Sequence, residues 1–226
     1  VQEEMLQEEE RGERYIKIDV PKLEKGTVSD LSIGSRSALY NDPVFSLQWG
    51  LSNSNGIDVN ALKAWNWADG KKIKVAIIDS GVDKTHPDLS DNISSLSYDI
   101  MTGTSPSRVY DKHGTCCAGV IGAIRNNGIG IVGIAPNVEI MPISLDFEGN
   151  LNGSQMADAI NWAWQNGADV INMSLTCSPN DKMTDAIKNA LTKGRNGKGC
   201  VVVAASGNQG QSSVGYPANV EGVIAV

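Results

Sequence analysis

From residue 57 onward the chain alternates two kinds of segment. IKVAII (73–78), VEIMPISL (138–145), DVINMSL (169–175), CVVVAAS (200–206) and VIAV (223–226) are apolar almost throughout and rich in β-branched residues. Between them lie segments with helical character: HGTCCAGVIGAI (113–124), built of small residues, SQMADAINWAWQNG (154–167) and NDKMTDAIKNALTK (180–193). VNALKAW (59–65) reads as a further short helix. In the second of the three, Ser154 is placed to cap the start and Gly167 the end. Strands without polar alternation are buried on both faces, and strands alternating with helices form parallel sheets. The pattern therefore predicts an α/β fold, a doubly wound, mostly parallel sheet with helices on both faces. Ligands of such sheets sit outside the carboxyl ends of the strands. Asp79, Ser174 and Asn208 follow directly after predicted strands, and His113 opens a helix, so all four are expected at that edge.

The first 40 residues are different. Residues 1–14 carry six Glu against two Arg and read as a solvated helix or tail. Residues 15–40 mix short apolar pieces with polar linkers. The expected organisation is an N-terminal extension or the end of an upstream segment over 1–40, and an α/β domain over 41–226. A net charge of −7 argues against nucleic acid or an anionic membrane as main partner. No apolar run approaches the ~18 residues of a membrane span. The N-terminus has no signal-peptide apolar region, which leaves a cytosolic protein or a chain lacking its true start. Four cysteines and two histidines, His86 and His113, offer no spaced ligand pattern, so structural zinc is not expected. Cys177 follows one strand and Cys200 begins another, which puts them at opposite sheet edges and argues against a bridge between them.

Gly128-Ile129-Gly130-Ile131-Val132-Gly133 spells a dinucleotide fingerprint, but no strand precedes it and no helix follows, so it reads as a turn-rich loop. Asp79 in VAIIDSGVD and His113 in HGT carry more chemistry. A carboxylate at a strand end beside an imidazole at a helix start supplies two-thirds of a charge-assisted triad: the Asp fixes the tautomer, and the His takes a proton from a nucleophile. Asn208, in VVVAASGN, presents an amide that can donate to a developing oxyanion.

Taken together, VAIIDSGVDKTHPDL, HGTCCAGVIGAI, GIVGIAP, INMSL, VVVAASGN and VGYPANVEGVIAV resemble, in order, the motifs of the subtilase family of serine proteases over roughly residues 40–226. The resemblance implies a subtilisin-like fold, peptide-bond hydrolysis through an acyl-enzyme, Asp79 and His113 as acid and base, and Asn208 as oxyanion donor. It implies a polypeptide substrate held between Ser174-Leu175-Thr176 and the facing Leu151-Asn152-Gly153, although Leu151 and Leu175 are equally well read as core. It also implies a structural calcium ion, with carboxylates from Asp42 and Asp88, the amide of Asn127, and the carbonyls of Ile124, Ile129 and Ile131. A secreted or cell-envelope location and a possible propeptide partner follow from the family.

Cys117 matches a position where one subgroup, including proteinase K, carries a free thiol beneath the catalytic His. Cys116 and Lys112 depart from the usual residues around HGT, and a cation at Lys112 is expected to disfavour the imidazolium of His113. The family's nucleophile lies in a G-T-S-M-A helix start, which has no counterpart before Val226. The expected reading is a catalytic domain whose C-terminal part is missing, the fragment itself being inactive. The alternative is a non-catalytic peptide-binding pseudoprotease or half-domain.

Overall fold

The computed structural model describes residues 40–226; the expectations for residues 1–39 fall outside the described residues. Six strands form one parallel sheet: β1 (Lys74–Asp79), β2 (Tyr98–Asp99), β3 (Glu139–Ser144), β4 (Val170–Met173), β5 (Val201–Ala204) and β6 (Ile224–Ala225). Their spatial order is β2-β3-β1-β4-β5-β6. From β1 the chain runs out to the edge strand β2, returns to β3 and then crosses to β4 on the other side, so β1 sits where the order reverses. Among the described residues four α-helices accompany them: α1 (Ala61–Ala64), α2 (His113–Gly122), α3 (Gly153–Gln165) and α4 (Asp181–Gly197).

Alternation along the strands explains why both faces are covered. Ala76 and Ile78 of β1, with Met141 and Ile143 of β3, join a core shared with Met156 and Ile160 of α3 and Met183 and Ile187 of α4. Val75 and Ile77, with Ile140, turn to the opposite face, where Ala118 of α2 closes a second core. Successive side chains of a strand point to opposite faces, so an all-apolar strand needs a helix on each. The strand register places Asp79 beside Ser144 at the carboxyl edge.

One expectation about a helix start changes. The cap of α3 is Asn152, whose side chain accepts from Gln155 N at 3.0 Å while Gln155 Oε1 accepts from Asn152 N at 3.1 Å. Ser154 lies inside the first turn. A reciprocal capping box satisfies two orphan N–H groups where a lone Ser satisfies one, which is why the helix starts earlier. Gly167 takes φ +86° just past the C-cap residue Asn166, as a helix terminator does. Residues 128–133 form a loop. No helix among the described residues is long and apolar enough to cross a membrane.

Candidate active site

Asp79 ends β1 and is wholly buried. Its Oδ1 lies 2.7 Å from His113 Nδ1 and accepts a 2.7 Å hydrogen bond from Ser80 N. Its Oδ2 has no hydrogen-bond partner among the described residues. His113 stands at the first position of α2, and its N–H donates to Asp111 Oδ1 at 2.8 Å. Ser80 ties the two elements together, its Oγ accepting from Gly114 N and donating to the carbonyl of Asp111, both at 3.0 Å. Gly114 is required by this closeness, since a Cβ there would collide with Gly81 O and press on Asp79 Cβ. The HG pair is thus a packing device that seats the helix start against the strand end.

Asp99 also steadies the approach to His113. It is buried at the end of β2 and accepts from Tyr110 Oη at 2.9 Å, with Arg108 Nε 3.4 Å away. Both partners lie on the loop that leads into His113. Nothing in the sequence singled Asp99 out, because a two-residue strand leaves no readable pattern. Phe147 and the imidazole pack in a T-shape, with centroids 5.9 Å apart.

The hydrogen bond to Asp79, supported by the thiol of Cys117, raises the pKa of His113 to about 10 despite its burial. The expected depression by Lys112 is therefore overturned. Lys112 is exposed, so water screens its ammonium, while the Asp79 carboxylate acts across 2.7 Å in a dry interior. Cys117 Sγ lies 3.8 Å from His113 Nδ1, one helical turn along. All four cysteines are free.

The remaining candidates share the edge without touching this pair. Asn208 is exposed on the loop after β5, two strands from Asp79, and its N–H donates to Gln209 Oε1 at 3.1 Å. The same loop lines a hollow of about 220 Å³, with Ser206, Gly207, Gln209, Ser212 and Val214 among its walls and no charged side chain. Ser174 and Thr176 are half-buried just past β4, between Asp79 and Asn208. Leu151 and Leu175 are 1% and 0% exposed and belong to the main core. Gly153 packs on Asn180 with no room for a side chain. At these three positions only main chain is left to meet a ligand.

At the far side of α2, Asp42 and Asp88 are each 2% exposed. Asp42 accepts from Asn126 N at 2.9 Å and Asn127 N at 3.1 Å. Asp88 accepts from Asn127 Nδ2 at 2.8 Å and Ile131 N at 3.0 Å. Asn127 therefore bridges two buried carboxylates. The loop winds with positive φ at Asn126, Gly128 and Gly130, which accounts for the glycines of the false fingerprint. Among the described residues no hydrogen bond is donated to the carbonyls of Ile124, Ile129 or Ile131. An all-oxygen set with two buried acids and no cationic side chain hydrogen-bonded to either fits a hard divalent ion.

A parallel α/β sheet with a buried carboxylate–imidazole pair at the carboxyl edge of its central strand defines a domain equipped for proton transfer at that edge. The profile of the subtilase family matches residues 70–226, and the chain belongs to that family. It is 43% identical to a thermophilic serine proteinase of a Bacillus species over 72% of this chain and 40% of that protein. It is 37% identical to thermitase of Thermoactinomyces vulgaris over 82% of this chain and 64% of the relative. Among solved structures it resembles a protease from Pseudoalteromonas arctica, with a TM-score of 0.72 and 32% identity over 82% of this chain and 64% of the other. The chain thus spans about 40% to 64% of the length of these proteins.

Proposed function

We propose that the protein is the acid–base and substrate-gripping part of a serine endopeptidase, hydrolysing peptide bonds through an acyl-enzyme. The observation that carries this reading is the 2.7 Å bond between the buried Asp79 carboxylate and His113 Nδ1. With Nδ1 engaged, Nε2 is the nitrogen left to take the proton of an attacking hydroxyl. Asp79 holds the ring in that tautomer and stabilises the imidazolium that forms. Asn208 donates to the oxyanion. Among the described residues no hydroxyl is hydrogen-bonded to His113, so the reading assigns the nucleophile to a serine beyond residues 1–226.

An extended polypeptide would lie between the main chains of 151–153 and 174–176, with side chains alternating into pockets. The uncharged hollow of the 206–215 loop would take a neutral side chain. Asp42, Asp88 and Asn127, with the carbonyls of Ile124, Ile129 and Ile131, would hold a structural calcium ion that pins the segment around Asp42 to the loop. Residues 1–40 are read as an extension or the end of a propeptide, and the location as secreted or cell-envelope.

An active-site serine probe tests the reading. A fluorophosphonate should fail to label residues 1–226 and should label a chain extended through the missing serine, in a manner lost in His113→Ala. Labelling of residues 1–226 that depends on His113 would place the nucleophile among its own serines. An extended chain that binds peptides but never labels would leave a peptide-gripping pseudoprotease.

A further inference from the structure

We propose that the Asn127–Gly128 pair is a modification site: it deamidates spontaneously once the loop that holds it opens, and the folded loop suppresses the reaction. In an asparagine–glycine pair no side chain shields the glycine nitrogen, so that nitrogen can attack the neighbouring side-chain amide. Gly128 is exposed with φ +74°, and a Cβ built on it would meet nothing within 4 Å. Water therefore reaches the bond.

Both reacting groups are restrained by named partners. Gly128 N, the nucleophile, donates to Asn41 Oδ1 at 3.0 Å. Asn127 Nδ2, the leaving amine, donates to Asp88 Oδ1 at 2.8 Å, and Asn127 Oδ1 accepts from Ile129 N at 2.9 Å. Attack requires Gly128 N to give up Asn41 and the Asn127 side chain to turn out of its two hydrogen bonds. Two other asparagine–glycine pairs supply references. Asn55–Gly56 is exposed, whereas in Asn152–Gly153 the glycine is buried at the start of α3.

The step balances with water as the only co-reactant. Gly128 N bonds to Asn127 Cγ and loses its proton to solvent, the Cγ–Nδ2 bond breaks, and ammonia leaves. Water then opens the succinimide at either carbonyl, giving aspartate or isoaspartate. Each product exchanges a donor to Asp88 for a carboxylate beside two buried acids, and like charges at close range repel. Isoaspartate also adds a methylene to the main chain, so the loop no longer fits its N–H groups to Asp42 and Asp88 together. Opening of the loop thus leaves a permanent mark where the segment around Asp42 is tied down. A calcium ion held by Asn127 would add a further restraint. That part rests on the calcium reading; the modification does not.

The test ages the protein at mildly alkaline pH in heavy-oxygen water, which labels any site that passes through a succinimide, and maps the label by peptide mass. With calcium present, Asn127 should label more slowly than Asn55, and Asn152 should stay unlabelled. Asn41→Ala should speed labelling of Asn127 roughly three- to tenfold, the shift expected from one lost hydrogen bond, and leave the two references unchanged. Asn41→Asp keeps an accepting oxygen and should restore the slow rate. In urea the unaltered protein should label Asn127 and Asn55 at one rate. Chelator should speed Asn127 alone. Native labelling of Asn127 as fast as that of Asn55, equal rates in Asn41→Ala and Asn41→Asp, or an Asn127 that lags in urea would each overturn the proposal. Faster labelling in Asn41→Ala without a chelator effect would support the site and remove calcium from it. None of these measurements involves peptide hydrolysis, so failure here is distinct from failure of the peptidase reading.

Discussion

Two of the places where this molecule buries carboxylates almost completely neutralise them differently. At the edge of β1, Asp79 faces a group that can itself become a cation, the His113 imidazole. Beside α2, Asp42 and Asp88 accept, among the described residues, from N–H donors of Asn126, Asn127 and Ile131. An isolated buried charge is costly unless paired or coordinated. The first site meets that cost with a proton that can be lost again, and so can do acid–base work. The second offers dipoles and an oxygen-rich loop, which under the proposed calcium reading would hold a fixed ion and anchor structure. One residue type, equally buried, serves exchange in one setting and anchorage in the other.

The largest expected effect lies at the first site. In the complete peptidase, Asp79→Asn should keep the fold and lower kcat by ~10⁴-fold, because the amide favours the wrong imidazole tautomer. Steady-state hydrolysis of a peptide ester would read this. A loss below tenfold would mean that Asp79 does not orient the base, and the contrast between the two sites would fall.

The pH response comes next, with opposite signs for activity and stability. His113 titrates near 10 in the folded protein and near the ordinary value of 6.5 when unfolded. Because the folded state holds this proton more tightly, the contribution of His113 is present in full below about pH 6.5. It is lost as pH rises through about 10. Melting temperature should therefore decline from neutral to alkaline pH, and less steeply in His113→Gln. Hydrolysis should rise over the same range, because only the neutral imidazole can accept a proton. A rate already at its plateau at pH 7 would place the titration of His113 well below about 10.

The second site should answer to calcium and hardly to pH in that range. An ion bound only by the folded state adds about 2.7 kcal/mol at a hundredfold excess over its Kd. Chelator should lower the melting temperature, and Asp88→Ala should remove most of that difference while leaving the alkaline decline in place. An unchanged calcium response in Asp88→Ala would take Asp88 out of the ion site.

The sheet was readable because burial on both faces leaves strands such as 73–78 and 200–206 with no polar interruption. The Asp79–His113 pair was readable because each residue ends or begins such an element. Two features were not. β2 is two residues long, so Asp99 and its hold on Tyr110 carry no periodic signal. The field at His113 depends on which neighbours are dry, and sequence proximity favoured the solvated Lys112 over the contact with Asp79.

The smallest effect is expected where neither titration nor an ion takes part, at the start of α3. There Asn152 accepts from Gln155 N, and Gln155 Oε1 accepts from Asn152 N in return. Asn152→Ala leaves a first-turn N–H without its partner and should cost about 1 kcal/mol. Ser154, one position inside the helix, accepts only from the exposed Lys182 ammonium, at 2.7 Å. A contact of that kind contributes little in water, so Ser154→Ala should fall within about 0.5 kcal/mol of the unaltered protein. Urea unfolding at fixed pH and calcium would measure both, and neither variant should alter the pH slope or the response to chelator. A larger loss in Ser154→Ala than in Asn152→Ala would move the helix start back to Ser154. A change in calcium response in either variant would show that α3 is coupled to the acidic loop, and that the two sites do not respond independently.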